Sequence, residues 1–173
     1  LAHATLVACS LFAAISGSSI ATAATMTKVA MPPMRRLGYH DRLSTGAVAS
    51  GGVLGVLIPP SVPLVIFGLL TETDIRQLFI ATILPGLLLL VLFLGAVWVS
   101  MLINPSLGPS GQRVPLRQRF LALKGVWSTI LLFAFVMGGL YGGVFTSTEC
   151  AGMGAMGALL IAVTRRKISL AGV

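Results

Sequence analysis

Two short stretches of this 173-residue chain place oxygen-rich, irregular backbone inside apolar sequence. The first is Ile15-Ser16-Gly17-Ser18-Ser19-Ile20 and the second is Gly55-Val56-Leu57-Ile58-Pro59-Pro60-Ser61-Val62-Pro63. Proline removes an amide donor and clashes with the preceding turn, and the residue before it avoids helix. Pro59, Pro60 and Pro63 therefore predict a helix broken into two halves, with free carbonyls at one side of the gap and free amides at the other. Unwound carbonyls and hydroxyls suit sodium, because they supply oxygen without burying a negative charge. Helix N-termini with hydroxyl donors suit a carboxylate. Ser16, Gly17, Ser18, Ser19, Pro59, Pro60 and Ser61 are thus the candidate ion- and substrate-binding residues, and Ser16, Ser18 and Pro59 the candidate sodium ligands. Taken singly, each stretch reads equally well as a packing device: Ser and Gly allow close helix contact, and prolines kink a span. Their occurrence in consecutive elements favours a site, since broken helices mark the binding centre of many secondary transporters.

Other reactive side chains are sparse. Glu149, in Thr146-Ser147-Thr148-Glu149, is a carboxylate at the edge of an apolar run. Intramembrane carboxylates are functional candidates by default, but capping is the favoured reading: Thr146 or Thr148 caps a helix and the acid stabilises its first turn. His3 and His40 lack partners at useful spacing, and Cys9 and Cys150 suggest neither a disulfide framework nor a metal site.

The elements that must position these residues are set by composition. Hydrophobic residues make up 56% of the chain and charged residues 9%, against about 25% charged in soluble domains. Mean hydropathy is +0.99. A water-soluble globule is excluded, and an all-α integral membrane protein is expected. The net charge of +8 does not signal nucleic acid, because the basic residues punctuate apolar runs and form no stripe with aromatic partners. Eleven of the 12 fall into three clusters: Lys28, Arg35, Arg36 and Arg42; Arg113, Arg117, Arg119 and Lys124; Arg165, Arg166 and Lys167. Two apolar segments separate successive clusters, so the positive-inside rule puts all three on the cytoplasmic face.

This yields a re-entrant hairpin over 1–30, a basic loop over 31–42 and a broken transmembrane helix over 43–71. A transmembrane helix over 77–103 follows, then a cytoplasmic loop over 104–124 with Arg117, Arg119 and Lys124 on a short surface helix. A helix and turn over 125–148, a helix over 149–164 and a cytoplasmic end over 165–173 complete the chain. The hairpin assignment rests on Leu1–Thr27, where 17 of 27 residues are Ala, Ser, Thr or Gly. Such a segment packs well against protein and poorly against lipid. A straight span is the alternative for it. Leu1 already lies in an apolar run and the chain stops just after Arg165-Arg166-Lys167, so a piece of a longer protein is expected.

The order of motifs resembles the large permease subunit of tripartite ATP-independent periplasmic (TRAP) transporters. The similarity is carried by Phe12–Ala24, Met34-Arg35-Arg36-Leu37-Gly38-Tyr39, Gly55–Ser61, Leu78-Phe79-Ile80-Ala81 with Leu84-Pro85-Gly86, and Gly139–Thr146 with Thr148-Glu149. One departure is Ser147, where the family usually has proline; it weakens the rigid turn expected there. The resemblance implies an elevator-type transporter of two inverted repeats, each with a hairpin and a broken helix. It implies sodium-coupled uptake (symport) of a carboxylate such as a C4-dicarboxylate or sialic acid. It also implies a small membrane subunit and a periplasmic substrate-binding protein as partners, and a multi-pass location in the bacterial inner membrane. By position, Ser16–Ser19 becomes the first hairpin tip and Pro59–Ser61 the first broken-helix site, together holding one sodium ion and one side of the substrate. No other cofactor is implied, and the chain is expected to be the middle of a longer permease.

Other classes fit less well. An intramembrane serine protease built on Ser16-Gly17 needs a base, and no histidine lies in a facing span. Another ion-coupled organic-anion transporter, or a non-transporting assembly subunit, remains an alternative that sodium-dependent stabilisation distinguishes. No enzymatic activity is expected.

Overall fold

The computed structural model describes residues 1–109 and 127–164. All regular structure among them is helical: α1 (Ala2–Ser16), α2 (Ser19–Arg36), α3 (Asp41–Leu57), α4 (Val62–Leu70), α5 (Ile75–Ile103), a 3-10 turn (Pro105–Leu107), α6 (Trp127–Tyr141) and α7 (Ser147–Thr164). Among the described residues, three segments are long and apolar enough to cross a membrane: Asp41–Leu70, Ile75–Ile103 and Ser147–Thr164. The basic residues of 113–124, the surface helix expected there and the cluster at 165–167 lie outside the described residues. The chain divides into two compact units, Leu1–Gly111 and Gln112–Val173.

In the first unit, α1 and α2 form a hairpin whose two arms both pack on α3. Small residues make this possible. A Cβ on Gly51 would lie 2.5 Å from Cys9 Cβ, one on Gly52 2.9 Å from Ala23 Cβ, and one on Gly55 2.9 Å from backbone atoms of Ser18 and Ser19. The α3 glycines thus seat α1 on one side and the start of α2 on the other, as close helix packing in membranes requires. Cys9 is a packing residue of that contact, buried and unpaired. Away from the hairpin tip the core is apolar, with Leu6 from α1, Met26, Met31 and Met34 from α2, Leu43, Ala47 and Val48 from α3 and Val97 from α5.

The second hairpin arm does not end at residue 30. α2 runs on to Arg36 with Pro32 and Pro33 inside it. Those prolines withhold hydrogen bonds from the Lys28 and Val29 carbonyls, but Lys28 and Val29 are exposed, so the freed carbonyls are not sealed in the core. Burial of Ala30, Met31 and Met34 holds the last turns in place. The helix closes on Gly38, at φ 78°, with Gly38 N–H donating to Arg35 O and Tyr39 N–H to Met34 O. This is the double bond pattern of a Schellman cap. α3 begins at Asp41, two residues before the expected boundary, because His40 caps it: Arg42 N–H donates to His40 Nδ1 at 3.2 Å. An exposed ion pair, Arg35 Nε to Asp41 Oδ1 at 2.8 Å, spans the same corner.

The helix is interrupted at the prolines. α3 stops at Leu57, residues 58–60 bend, and α4 starts at Val62. α4 then turns through Thr71–Asp74, with Asp74 accepting from Arg76 N–H to cap α5. α5 returns along α4 and α3 and places Gly86 against the break, where an added Cβ would meet Ile58 Cγ1 at 3.3 Å and Leu57 O at 3.4 Å.

The described residues of the second unit form a helical hairpin of α6 and α7. α6 also ends in a Schellman cap, with Gly143 at φ 72°, Gly143 N–H donating to Leu140 O and Val144 N–H to Gly139 O. α7 begins with a reciprocal capping box. Glu149 Oε2 accepts from Thr146 N–H at 2.8 Å and from Thr146 Oγ1 at 2.9 Å, while Glu149 N–H donates to Thr146 Oγ1 at 3.3 Å. The turn is therefore fixed by hydrogen bonds although Ser147 stands where a proline was expected. Thr146 is the capping residue of the pair. Thr146→Ala is expected to lower the stability of this hairpin by about 1 kcal/mol, read as an earlier thermal transition, with Thr146→Ser retaining most of it.

Candidate functional site

The hairpin tip and the helix break meet. Gly17 ends α1 in the left-handed region at φ 61°, its N–H donating to Ala13 O at 2.8 Å. Its own carbonyl accepts from Val62 N–H at 3.0 Å, the first amide of α4. A Cβ on Gly17 would lie 2.9 Å from Pro60 O and 3.4 Å from Val62 N. Backbone touches backbone here, and only glycine allows it. From the other side, Gly55 of α3 abuts Ser18 and Ser19. A Gly55→Ala substitution pushes on main-chain atoms that cannot rotate away. It is expected to separate the tip from α3 and to destabilise the first unit by about 1–3 kcal/mol, measurable as a lowered thermal transition in detergent.

The candidate residues divide into two groups. Gly17, Ser18, Ser19, Pro60 and Ser61 gather at this seam, with Pro59 buried beside them. Ser16 is tied within its own hairpin: Ser16 Oγ and Thr22 Oγ1 lie 2.8 Å apart, Thr22 Oγ1 donates to Ser18 O at 2.8 Å, and Ser18 N–H reaches Ser16 Oγ at 3.4 Å. Ser18 Oγ accepts from Ala21 N–H at 3.3 Å, capping α2. Thr22, fully buried, is the residue that reading the sequence missed. The available signal was its place one helical turn after Ser18.

The electrostatics of the seam are those of acceptor-rich backbone without formal charge. Pro59 and Pro60 have no N–H to donate to the carbonyls of Gly55 and Val56, which are left without helical partners. On the α4 side, Val62 N–H is spent on Gly17 O and Pro63 has none, so the start of α4 keeps few amides for an anion. The first turn of α2 keeps more, since the Ser19 and Ile20 amides precede the first intrahelical donor, Thr22 N–H to Ser18 O. Ser61 is 1% exposed, and its Oγ is the one buried side-chain oxygen or nitrogen among the described residues with no hydrogen-bond partner. An orphaned hydroxyl of this kind costs about 1–3 kcal/mol and calls for a ligand or a role. Neutral oxygens alone fit a monovalent hard cation better than a divalent one, which draws on carboxylates. Among the described residues no group of three or more His, Cys, Asp or Glu side chains is placed to hold a metal.

The protease reading fails on geometry. Ser16 Oγ is engaged with Thr22. His3 sits at the opposite end of α1, roughly 20 Å away at the helical rise, and His40 caps α3 at its start.

The model of the family described as "Tripartite ATP-independent periplasmic transporter, DctM component" matches residues 1–173. A C4-dicarboxylate TRAP transporter large permease protein of Pseudomonas aeruginosa is 40% identical over 164 residues, covering 94% of this chain and 38% of that protein. An ectoine/5-hydroxyectoine TRAP transporter large permease protein of Ruegeria pomeroyi is 35% identical, covering 100% of this chain and 40% of its own length. A sialic acid TRAP transporter large permease protein of Vibrio cholerae is 34% identical, covering 93% and 37%. The chain thus spans about two fifths of the length of these relatives. With the family model matching residues 1–173 and relatives 34–40% identical over most of the chain, this chain belongs to the DctM-component family of TRAP transporters, the large permease proteins, which are membrane transporters and not enzymes.

Proposed function

We propose that the seam between the hairpin tip and the broken helix is one half of the ion and substrate site of a secondary transporter. The reading is sodium-coupled uptake of a carboxylate across the bacterial inner membrane. The observation that carries it is the buried, unpartnered Ser61 hydroxyl beside carbonyls that two prolines deprive of donors. Ser61 Oγ, the Gly55, Val56 and Pro59 carbonyls and the Ser16–Ser18 tip would hold the sodium ion. The first turn of α2 at Ser18 and Ser19 would face the substrate carboxylate, since helix N-termini favour anions. Binding both would neutralise charge within the site and reward its movement through the bilayer as a unit. A hairpin that re-enters the membrane from the cytoplasmic side and moves with the broken helix, elevator fashion, accounts for the tight backbone seam.

The relatives are named for three different solutes, so no single anion is carried over to this chain. The partners proposed are a small membrane subunit and a periplasmic binding protein that delivers the solute. The test is uptake into proteoliposomes by the complete permease with both partners. Uptake is expected to require an inward sodium gradient and to fall at least tenfold in Ser61→Ala. Uptake indifferent to sodium, and unchanged in Ser61→Ala and Ser18→Ala, overturns the assignment.

A further inference from the structure

We propose that a groove between α3 and α5 in the first unit binds an anionic phospholipid, with the phosphate on Arg42 and the start of an acyl chain along the helices. The groove holds about 210 Å³ and carries Arg42, Gly46 and Ala47 on one wall and Phe93, Val97 and Ser100 on the other. Arg42 and Gly46 are one helical turn apart on α3, and Phe93, Val97 and Ser100 share a face of α5. The two helices are antiparallel, because the turn after α5 reaches the start of α3: His40 N–H donates to Leu107 O at 2.9 Å. Arg42 and Ser100 therefore lie at the same end, and beyond them the walls are largely apolar, with Leu6, Ala47, Phe93 and Val97 and one further hydroxyl, Ser50. Polar mouth and greasy floor are the two halves of an amphiphile.

Charge selects the class. The neighbouring cation, Arg35, is already paired with Asp41 at 2.8 Å. Arg42 has no carboxylate within ion-pair distance among the described residues, and it is an exposed residue of the groove lining. Arg36 and Lys28 on α2 add positive charge to this unit and no carboxylate besides Asp41 lies between residues 1 and 71. A basic pocket between membrane helices is the arrangement that takes anionic lipid headgroups. Size argues against a free solute: the volume lies below the roughly 300–1,000 Å³ of ordinary small-molecule sites, but it accommodates part of one chain whose remainder stays in the bilayer. The site is separate from the tip and break seam, and its occupancy does not depend on sodium.

Gly46 supplies a clean test. A Cβ there meets nothing within 4 Å, so Gly46→Leu is tolerated at the backbone, directs a bulky side chain at the groove it lines and improves helix propensity. Arg42→Gln removes the charge at an exposed position. The purified protein is titrated in detergent with phosphatidylglycerol and, separately, with phosphatidylcholine, and retained lipid is counted by native mass spectrometry. Phosphatidylglycerol is expected to be retained about fivefold more tightly than phosphatidylcholine, the share one basic residue contributes near an anionic surface. Arg42→Gln should erase that preference, and Gly46→Leu should reduce retention of both lipids. Equal retention of the two lipids by the parent protein, no retained lipid, or undiminished phosphatidylglycerol retention in either variant overturns the proposal. Displacement by inorganic phosphate as effective as by phosphatidylglycerol overturns it too, by showing an anion site without a lipid chain.

Discussion

Gly17→Ala is expected to unlock the hairpin tip from the broken helix and to abolish transport. Two costs coincide at this position. A non-glycine residue at φ 61° pays about 1–2 kcal/mol for the left-handed backbone. The new Cβ would also stand 2.9 Å from Pro60 O, a main-chain atom with no rotamer to retreat into. Relief requires the tip to move, which strains the 3.0 Å bond from Val62 N–H to Gly17 O and adds about 1 kcal/mol. Gly38 separates the two terms. It has φ 78°, yet a Cβ there meets nothing within 4 Å, so Gly38→Ala pays for the dihedral alone. Thermal unfolding in detergent should therefore show Gly17→Ala losing clearly more stability than Gly38→Ala. Uptake should be lost only in the former. Equal losses in both variants would mean that the tip is not seated on Pro60.

What was legible in the sequence was local. Pro59-Pro60 forbids amide donation wherever it stands, so the break between α3 and α4 follows from residue types alone. Ser16-Gly17-Ser18 likewise carries its own turn chemistry: glycine for the left-handed C-cap and serine for the N-cap of the next helix. A cap at Thr146 or Thr148 with Glu149 in the first turn was legible; that Thr146 and Glu149 close a reciprocal box, which holds the turn without a proline at 147, is shown by their hydrogen bonds. Packing was not legible. Gly17 and Pro60 are 43 positions apart, and nothing within either stretch announces that their backbones touch. The glycines at 51, 52 and 55 are the counterpart of that contact, and their spacing marks a close helix face without naming its partner. Where local and tertiary rules conflict, tertiary contact prevails: Pro32-Pro33 reads as the end of a helix, but burial of Met31 and Met34 carries α2 through to Arg36. Thr22 is one of three threonines in α2, with Thr25 and Thr27, and residue type alone does not single it out as the one whose hydroxyl joins Ser16 to Ser18.

Ser61→Ala separates a ligand from a structural hydroxyl more sharply than any other substitution in the seam. The Ser61 side chain is buried without a hydrogen-bond partner in the protein, and removing such a group relieves a desolvation cost of about 1–3 kcal/mol. Ser61→Ala is therefore expected to leave sodium-free stability unchanged or to raise it. With sodium the order reverses. A bound ion stabilises the folded state by mass action, about 2.7 kcal/mol at a hundredfold excess over its dissociation constant, and the variant forfeits most of that gain. The thermal transition of the wild type should climb with sodium concentration while that of Ser61→Ala stays nearly flat, and potassium should move neither. Thr22→Val is the contrast. Its hydroxyl holds the tip through two hydrogen bonds at 2.8 Å, so its loss lowers stability with and without sodium alike. A Ser61→Ala protein that climbs with sodium as steeply as the wild type would remove Ser61 from the ion site and leave its burial as a matter of packing at the break.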